Sequence, residues 1–173
     1  YRQYTYDKIG QLKTALGKEA GGVTNRWQEQ FGYAYDAAGN LSWRTNYALA
    51  EAFNVNNLNE LGTATNAGTL TIAGTTTSAA TNVTVWGTSV SSGSAILYSD
   101  STWARTNVTR PGGSATYYAA GYDSLGRKDT NTANVSLPNT ITYSYDLNGN
   151  LVSDGTRWFA YDDENQLVGA WVE

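Results

Sequence analysis

The sequence predicts an all-β protein, and two observations carry that prediction. Aromatic residues are abundant, with 13 Tyr and 6 Trp, and short runs of them with Thr and Val are separated by Gly, Asn and Asp. Such runs favour short strands joined by tight turns. A nine-residue pattern with the composition of a β-hairpin also recurs along the chain. Only the short stretch from Trp43 to Ala52 has any helical periodicity, so we expect antiparallel sheets throughout.

The composition narrows the classes of function. Cys and His are absent, so no thiolate or imidazole is available to bind zinc, iron or copper. For the same reason the chain has neither a cysteine nucleophile nor a histidine base that could activate a serine. The net charge is -4 and no run of Lys or Arg exceeds two residues, which is not typical of a nucleic-acid binder. No window approaches the roughly 20 apolar residues of a membrane-spanning helix. We therefore expect no cofactor, no metal, no nucleic-acid partner and no membrane span.

The recurring pattern is a nonapeptide. Its nine positions are an aromatic residue, any residue, Tyr or Val, Asp or Asn, two variable residues, Gly or Asn, a residue chosen from Asn, Gln and Glu, and Leu. Because side chains alternate along a strand, the first and third positions place two large side chains on the same face. The five copies are residues 4–12, 33–41, 53–61, 143–151 and 159–167.

Each nonapeptide predicts one hairpin. Asp or Asn at the fourth position accepts backbone hydrogen bonds and starts a turn, and Gly or Asn at the seventh adopts a positive φ at little cost. This is the chemistry of a type I turn that a left-handed residue closes. Since one hairpin is marginally stable in water, we expect the copies to pack side by side. The predicted structural turn residues are Asp7, Gly10, Asp36, Gly39, Asn56, Asp146, Gly149, Asp162 and Asn165.

The nonapeptide resembles the YD repeat of the rearrangement-hotspot (RHS) family, which also occurs in toxin-complex shells and in teneurins. The resemblance covers residues 1–66 and 138–173. It implies a spiralling β-sheet that belongs to the wall of a hollow shell. The chain does not begin with Met, and we expect an internal section of a longer polypeptide or a mature product.

Residues 67–137 have a different character. Thr, Ser, Ala, Val and Gly dominate, and six strand candidates arrive at spacings that suit a β-sandwich. The segment resembles the small immunoglobulin-like modules of bacterial surface proteins. The stretch Ala120–Arg127 also reads as a relative of the nonapeptide. An alternative is that residues 67–137 are eroded repeats of the same sheet. The predicted domains are therefore hairpins over 1–66, an immunoglobulin-like sandwich over 67–137, and hairpins over 138–173.

Carboxylates and aromatic rings are the remaining candidates for chemistry. Asp162, Asp163 and Glu164 are adjacent, but a role in the turn already accounts for the repeated Asp, so we expect no catalytic residue. Asp146–Asn150 resembles a calcium loop without its distal Glu. Tyr117 and Tyr118 are neighbours, so one ring faces away from the core and could contact carbohydrate. Four Asn-x-Ser/Thr sequons are possible glycosylation sites, at Asn40, Asn82, Asn107 and Asn134.

These observations favour a structural protein over an enzyme. We expect a non-catalytic segment of a secreted or cell-surface bacterial RHS repeat protein, a wall or scaffold whose partners are the flanking repeats of the same long chain. One alternative is an extracellular fibre subunit, possibly glycosylated, whose copies self-assemble into a filament by pairing exposed strands. The other is a carbohydrate-binding module whose partners are glycans.

Overall fold

The computed structural model describes residues 1–172. These residues form 17 strands, and no helix occurs among them, so the predicted all-β class is confirmed. Consequently, the described part of the chain contains no helix long and apolar enough to cross a membrane.

The first six strands form a continuous antiparallel meander. Each pairs with the next in chain order. They are β1 (Arg2–Tyr6), β2 (Leu12–Lys18), β3 (Asn25–Tyr35), β4 (Leu41–Asn46), β5 (Leu49–Val55) and β6 (Leu61–Thr75). Tight turns connect β1 to β2, β3 to β4 and β5 to β6, and each of these turns lies within one copy of the nonapeptide. The hairpins predicted for residues 1–66 are present.

Strand β6 pairs with different strands along its two halves. Residues 61–68 pair with β5, whereas residues 69–75 pair with β10 (Thr102–Thr109). The change occurs at Gly68, whose φ is +85°, and a Cβ at this position would clash with the carbonyl oxygen of Ala48. Glycine permits both the backbone conformation and the close approach. The predicted domain boundary at residues 66/67 therefore lies inside a continuous strand, and the repeats share this strand with the middle segment (residues 67–137).

The middle segment forms two layers. One layer is the order β6-β10-β9, which continues the long sheet, and the other is a four-stranded sheet with the order β12-β11-β7-β8. The strands of the segment not yet defined are β7 (Asn82–Gly87), β8 (Val90–Ser94), β9 (Ile96–Leu97), β11 (Ser114–Tyr122) and β12 (Lys128–Ser136).

The hydrophobic core lies between these two layers. Leu70 and Val108 from one layer pack with Ala115 and Tyr117 from the other. A second cluster brings Val83, Val85 and Trp103 together. Val83, Val85 and Val108 are the largest side chains with almost no exposure, and burying each contributes on the order of 1.5–3 kcal/mol relative to solvent.

The strand order differs from that of an immunoglobulin domain. In that fold the second strand of the sequence pairs in the sheet of the first, fourth and fifth strands, and the third, sixth and seventh form the other sheet. Here the second strand of the segment, β7, lies between β8 and β11, in the other sheet. The segment is therefore a two-layered β structure with its own topology. The spacing of the strand candidates, which predicted a sandwich, does not determine which layer each strand joins.

The last repeats pack beside the first ones. β13 (Thr140–Thr142) pairs with residues 63–65 of β6, and the backbone nitrogen of Tyr143 donates to Gly62 O at 2.9 Å. The following strands form a four-stranded sheet in chain order. They are β14 (Ser144–Tyr145), β15 (Leu151–Ser153), β16 (Arg157–Tyr161) and β17 (Leu167–Val172).

Both ends of the middle segment meet at a narrow neck. The backbone nitrogen of Asn66 donates to Asn139 O at 2.8 Å. Arg110 donates to the carbonyl oxygens of Asn66 at 2.8 Å and Leu137 at 3.0 Å. One guanidinium thereby connects the chain that enters the segment to the chain that leaves it.

Candidate functional site: a row of five hairpin turns

The five nonapeptides form five turns with the same hydrogen bonds. In each, an oxygen of the fourth side chain accepts the backbone N–H groups two and four residues later, and in the Asp36 turn these distances are 2.9 and 2.8 Å. The same two bonds form at Asp7, Asn56, Asp146 and Asp162. The backbone N–H of the fourth residue also donates to the carbonyl of the eighth, at 2.9–3.0 Å. Local hydrogen bonding therefore fixes each turn.

Backbone conformation is equally constant. The seventh position has a positive φ in every copy, between 62° at Asn59 and Asn165 and 90° at Gly10. In every copy the third position pairs with the ninth-position Leu across a register shift that directly precedes the third position. The nonapeptide thus specifies a two-strand unit, including its bulge, and does not depend on which aromatic residue occupies the first position.

The five turns lie side by side in what we call the turn row (residues 7–11, 36–40, 56–60, 146–150 and 162–166). The eighth residue of each turn reaches the seventh residue of the next. The Asn40 amide nitrogen donates to Asn59 Oδ1 at 3.1 Å, and the Asn150 amide nitrogen donates to Asn165 Oδ1 at 2.7 Å. Both links join neighbouring hairpins by an amide-to-amide hydrogen bond.

Where the seventh residue is Gly, the same relation is a close contact. Gln11 Nε2 lies 3.5 Å from the position that a Cβ on Gly39 would occupy, and Glu60 Oε1 lies 3.4 Å from the corresponding position on Gly149. A groove of 520 Å³ accompanies the contact at Gly149. That junction joins the hairpins of residues 1–66 to those of 138–173, although more than eighty residues separate the two turns in sequence.

The carboxylates of the turn row accept hydrogen bonds from residues of their own turns. Hydrogen bonds from the side chain and then the backbone of Asn40 lower the pKa of Asp36, and those of Asn150 lower the pKa of Asp146. Asp146 Oδ1 accepts hydrogen bonds from the backbone N–H groups of Asn148 and Asn150, and Asp146 Oδ2 accepts one from the Asn150 side-chain amide. A calcium ion would have to displace these donors. Among residues 1–172, no three acidic side chains gather in a group that could hold a metal ion.

A sixth turn of the same kind lies outside the row. Asp123 Oδ1 accepts the N–H groups of Leu125 and Arg127 at 2.9 and 3.0 Å, and Gly126 has a φ of 77°. This turn connects β11 to β12 in the middle segment. Its eighth residue, Arg127, donates to Asp123 of its own turn at 2.6 Å instead of reaching a neighbour, and Lys128 replaces the ninth-position Leu.

The two tyrosines considered for carbohydrate contact have opposite environments. Tyr117 is 3% exposed in the core, and its hydroxyl donates to Thr109 O at 3.2 Å. Its ring is closed to a ligand, so the expectation for Tyr117 has to be corrected: the alternation of the strand directs it inward. Tyr118 faces the other side of the sheet and stacks on Trp86, with ring centroids 5.5 Å apart.

A cleft of 780 Å³ opens beside this region, between the loop that follows β6 and the β11–β12 hairpin. Tyr118, Trp103, Thr76, Asp123 and Lys128 are among its lining residues. Its walls combine aromatic rings, hydroxyl groups and charges of both signs. Such a lining can hold a polar ligand, although the Asp123 carboxylate is already engaged by Arg127.

The four sequon asparagines are scattered. The amide nitrogen of Asn40 is bound within the turn row. Asn82 is half-buried at the start of β7, whereas Asn107 and Asn134 are exposed. Asn107 adopts a φ of 56°, and Asn134 Oδ1 accepts a hydrogen bond from Thr116 at 2.7 Å. Only Asn107 and Asn134 therefore present an accessible side chain.

Sequence reasoning missed an ionic cluster around Arg26. This guanidinium is 11% exposed and forms ion pairs with Glu19 at 2.7 Å, Glu29 at 3.0 Å and Asp100 at 2.9 Å. It also donates to the Thr102 hydroxyl at 2.7 Å. Burial opposes the charge, but the hydrogen bonds that the guanidinium donates to Asp100 and Glu19 outweigh it and raise the pKa of Arg26.

The cluster ties β3 and the loop that precedes it to the middle segment. Ser99 donates from its backbone and hydroxyl to Glu19, and the Trp27 N–H donates to the Tyr98 hydroxyl at 3.0 Å. Hydrogen bonds from the Thr102 hydroxyl and then from Arg26 lower the pKa of Asp100 to about 2. The sequence contains no local signal for these contacts, because Glu19 and Ser99 are 80 residues apart.

Comparison with models of known protein families and with curated protein sequences finds no match for this chain.

Proposed function

We propose that the chain is a non-catalytic structural segment of a large secreted or cell-surface bacterial protein of the RHS/YD-repeat type, in which it forms part of a β-shell wall or scaffold. The observation that carries the proposal is the turn row. Five copies of one motif use the polar side chain at the fourth position for the same turn, and the first four use the polar side chain at the eighth position for a contact with the next turn. Groups that are engaged in this way stabilise backbone and are not free to act on a substrate.

The architecture supports a wall more than a receptor or an enzyme. The hairpins of residues 1–66 add strands to one sheet, and those of residues 138–173 form a second sheet that follows β13, so the structure grows with the number of repeats. The middle segment adds a compact core at one side through β6, and the ionic cluster of Arg26 holds it against β3 and the loop that precedes β3. A wall carrying one stiff attached module accounts for both regions of the molecule.

The test is to find the chain where it is made. An antibody raised against the purified chain should label the surface of intact bacteria and recognise a secreted polypeptide much larger than 18.7 kDa. Protease added to intact cells should remove the label. Labelling confined to the cytoplasm, or a polypeptide of the size of the chain alone that turns over a substrate, would contradict the proposal.

Carbohydrate binding is a second candidate function, and the stacked pair of Trp86 and Tyr118 beside the 780 Å³ cleft favours it. Half-exposed rings next to hydroxyl-bearing side chains are typical of sugar-binding surfaces. Glycan-array binding should be lost in Tyr118→Ala and retained in Tyr4→Ala, which removes a ring on β1 that does not line the cleft. An array without a single binding glycan would eliminate this candidate.

A further inference from the structure

The half of β6 that belongs to the middle segment has one unpaired edge. Residues 69–75 pair with β10 on one side. On the other side β5 ends opposite Gly68, and no strand of residues 1–172 continues the pairing along residues 71–75. We call this stretch the open edge. It lies within the middle segment, away from β1 and β17, at which further repeats would continue the turn row.

The backbone groups of the open edge point away from β10. The N–H of Thr69 donates to the β5 side, to Ala48 O at 3.1 Å, and the N–H of Thr76 donates to the β10 side at 2.9 Å. Because successive N–H groups of a strand alternate in direction, those of Ala73 and Thr75 point to the unpaired side. Both residues are exposed. Free N–H and C=O groups of this kind form a template for another strand.

The opposite layer has a bare face beside the open edge. On β12, Asn131 lies directly opposite Ala119, and the next inward residue, Ala133, lies opposite Tyr117. Ala119 and Tyr117 pack in the core. Since directly opposite residues of an antiparallel pair point to the same face, Asn131 and Ala133 point to the core side as well. Both are nevertheless exposed, so this part of β12 lacks a strand above it among the described residues.

The cleft of 780 Å³ lies between the open edge and this bare face. Its lining includes Ala73 and Thr75 of β6 and Asp129, Asn131 and Ala133 of β12. A strand of about five residues, which spans roughly 16 Å, would match the length of the open edge. Paired with β6, such a strand would occupy the cleft and place alternate side chains over β12.

The open edge also lacks the features by which sheets avoid such pairing. β12, which is likewise paired on one side only, begins with Lys128 and Asp129. Charged side chains keep an edge strand in water. Residues 71–75 of β6 run as Thr, Ile, Ala, Gly and Thr, without a charge or a proline. The contrast between the two edges favours β6 as the one that receives a strand.

The orientation of β12 sets the order of the groups along the cleft. Val135 packs against the core cluster of Leu70, at the start of the open edge. Gly121, which lies opposite Asp129, approaches Thr76, whose Cγ2 is 3.6 Å from the position of a Cβ on Gly121. Asp129 therefore lies at the far end of the open edge, and the residues that follow it on β12 lead back towards Leu70.

These groups select the side chains of an incoming strand. Asp129 is exposed, and its carboxylate forms no ion pair within residues 1–172, so it favours a cationic side chain above it. The Asn131 amide can donate and accept hydrogen bonds, which suits a hydroxyl or an amide. Ala133 is small and apolar, which leaves space for a branched apolar side chain.

We infer that the cleft binds an extended peptide segment of a partner protein, which adds to the open edge of β6 as an antiparallel strand. In this direction the segment has Lys or Arg at its first position over Asp129, a hydrogen-bonding residue at its third over Asn131, and an apolar residue at its fifth over Ala133. The inference goes beyond the proposed function, because a wall segment need not bind another protein.

Peptide selection provides the first test. A library of short peptides displayed on phage and selected on the full chain should be enriched in this alternating pattern. An enriched peptide should slow hydrogen exchange at the amides of Thr71, Ala73 and Thr75 by on the order of tenfold or more, because these N–H groups become paired. Exchange at Ile72, whose N–H points to β10, should change far less. A library without enrichment, or a glycan that protects these amides when no peptide does, would overturn the inference.

Methylation of the peptide backbone tests strand pairing without altering the protein. Only alternate N–H groups of an added strand face its neighbour. N-methyl groups on the residues that face β6 should abolish binding in fluorescence anisotropy, whereas N-methyl groups on the residues between them should change the affinity by about threefold or less. Equal losses in the two methylated peptides would show that the peptide does not bind as a strand.

A charge swap tests the register. Asp129→Lys should weaken binding of the enriched peptide by about three- to tenfold, and a peptide with Glu at its first position should bind this variant better than it binds the wild type. Recovery of this kind excludes misfolding of the variant. Asp163→Lys, the same charge change outside the cleft, should leave binding unchanged. A swap without recovery would overturn the inference and leave the proposed scaffold role intact.

Discussion

The turn at Asp36 and the turn at Asp123 have the same internal hydrogen bonds and different surroundings. In both, one carboxylate oxygen accepts two backbone N–H groups, and a glycine with positive φ follows three residues later. At Asp36 the eighth residue, Asn40, reaches the next hairpin, whereas at Asp123 the eighth residue, Arg127, binds back to its own turn. The residues of the turn itself therefore determine its internal hydrogen bonds, whereas the residues at its flanking positions determine whether it contacts the next hairpin of the row.

The surroundings of the two turns are also stabilised differently. The middle segment, which contains Asp123, has a closed core between two layers. The repeat hairpins bury most of their side chains only in part and depend on contact with the next hairpin. Substitutions that remove core volume, cross-links or turn-to-turn links should therefore affect the two regions unequally.

The largest effect should come from the core of the middle segment. Trp103→Ala removes a ring that is 7% exposed and should lower the free energy of unfolding by about 3–5 kcal/mol. Trp158→Ala in β16, where the ring is 39% exposed and pairs across the sheet with Trp171, should cost about 1 kcal/mol or less. Urea denaturation followed by circular dichroism measures both. Equal losses would show that the two regions do not differ in packing.

The next largest effect should come from the cross-link between the regions. Arg26→Met removes the cation that pairs with Glu19, Glu29 and Asp100 and should cost about 3 kcal/mol. Glu29 then keeps only its ion pair with Arg2, whose side chain is 62% exposed. Arg44→Met removes a pair with Glu51 in which the arginine is 45% exposed, and it should cost about 1 kcal/mol or less. Hydrogen exchange in β9 and β10 should accelerate in the first variant only. If both variants lose the same stability, the cluster does not join the regions.

Acidification should weaken the same cross-link. The pKa of Asp100 is about 2 in the folded protein, below the ordinary value of 3.8 for an aspartate, so its contribution to stability is present above pH 4 and is lost as the pH falls towards 2. The melting temperature of Asp100→Asn should therefore lie below that of the wild type at pH 6, and the difference should shrink as the pH is lowered through this range. A difference that stays constant between pH 6 and pH 2 would contradict the assignment.

The smallest effect should come from a single link of the turn row. Asn40→Ala should destabilise the chain by about 0.5–1.5 kcal/mol, because the Asn59 and Asp36 acceptors lose their donor. A double-mutant cycle with Asn59→Gly should yield a coupling energy of about 0.5 kcal/mol or more. Arg127→Ala with Gly126→Asn, at the matching positions of the turn outside the row, should show no coupling beyond the turn itself. Comparable coupling in the two cycles would remove the distinction between them.

The hairpins could be predicted from the sequence because their determinants are local. Asp36, Gly39 and Leu41 fix a turn, a positive φ and a bulged strand pair within nine residues. Their order in the row could not be predicted, since the contact of Glu60 with Gly149 depends on β13 pairing with β6. The polar residue at the eighth position was visible as part of the motif, but its partner belongs to another hairpin.

The other features that could not be predicted from the sequence also depend on contacts between distant residues. The layer that β7 joins depends on core packing between Val83, Val85 and Trp103, and alternation along a strand is compatible with either layer. The cluster of Arg26 depends on contacts across 76 residues to Thr102. Long-range contacts of this kind have no signature in a single sequence, whereas the inward direction of one of two adjacent tyrosines follows from strand geometry alone.

The neck at Asn66 and Asn139 gives the middle segment a particular evolutionary freedom. The two ends of the middle segment are joined by one backbone hydrogen bond, from Asn66 N to Asn139 O. An inserted segment with ends this close can be replaced by one of another length without moving the hairpins on either side. A lineage could thus vary what the wall displays at this point while the hairpins before and after it keep their register. The same geometry offers a grafting position, at which a replacement module would have to reproduce the contacts of Arg110 and those that Ser99 and Asp100 make with the Arg26 cluster.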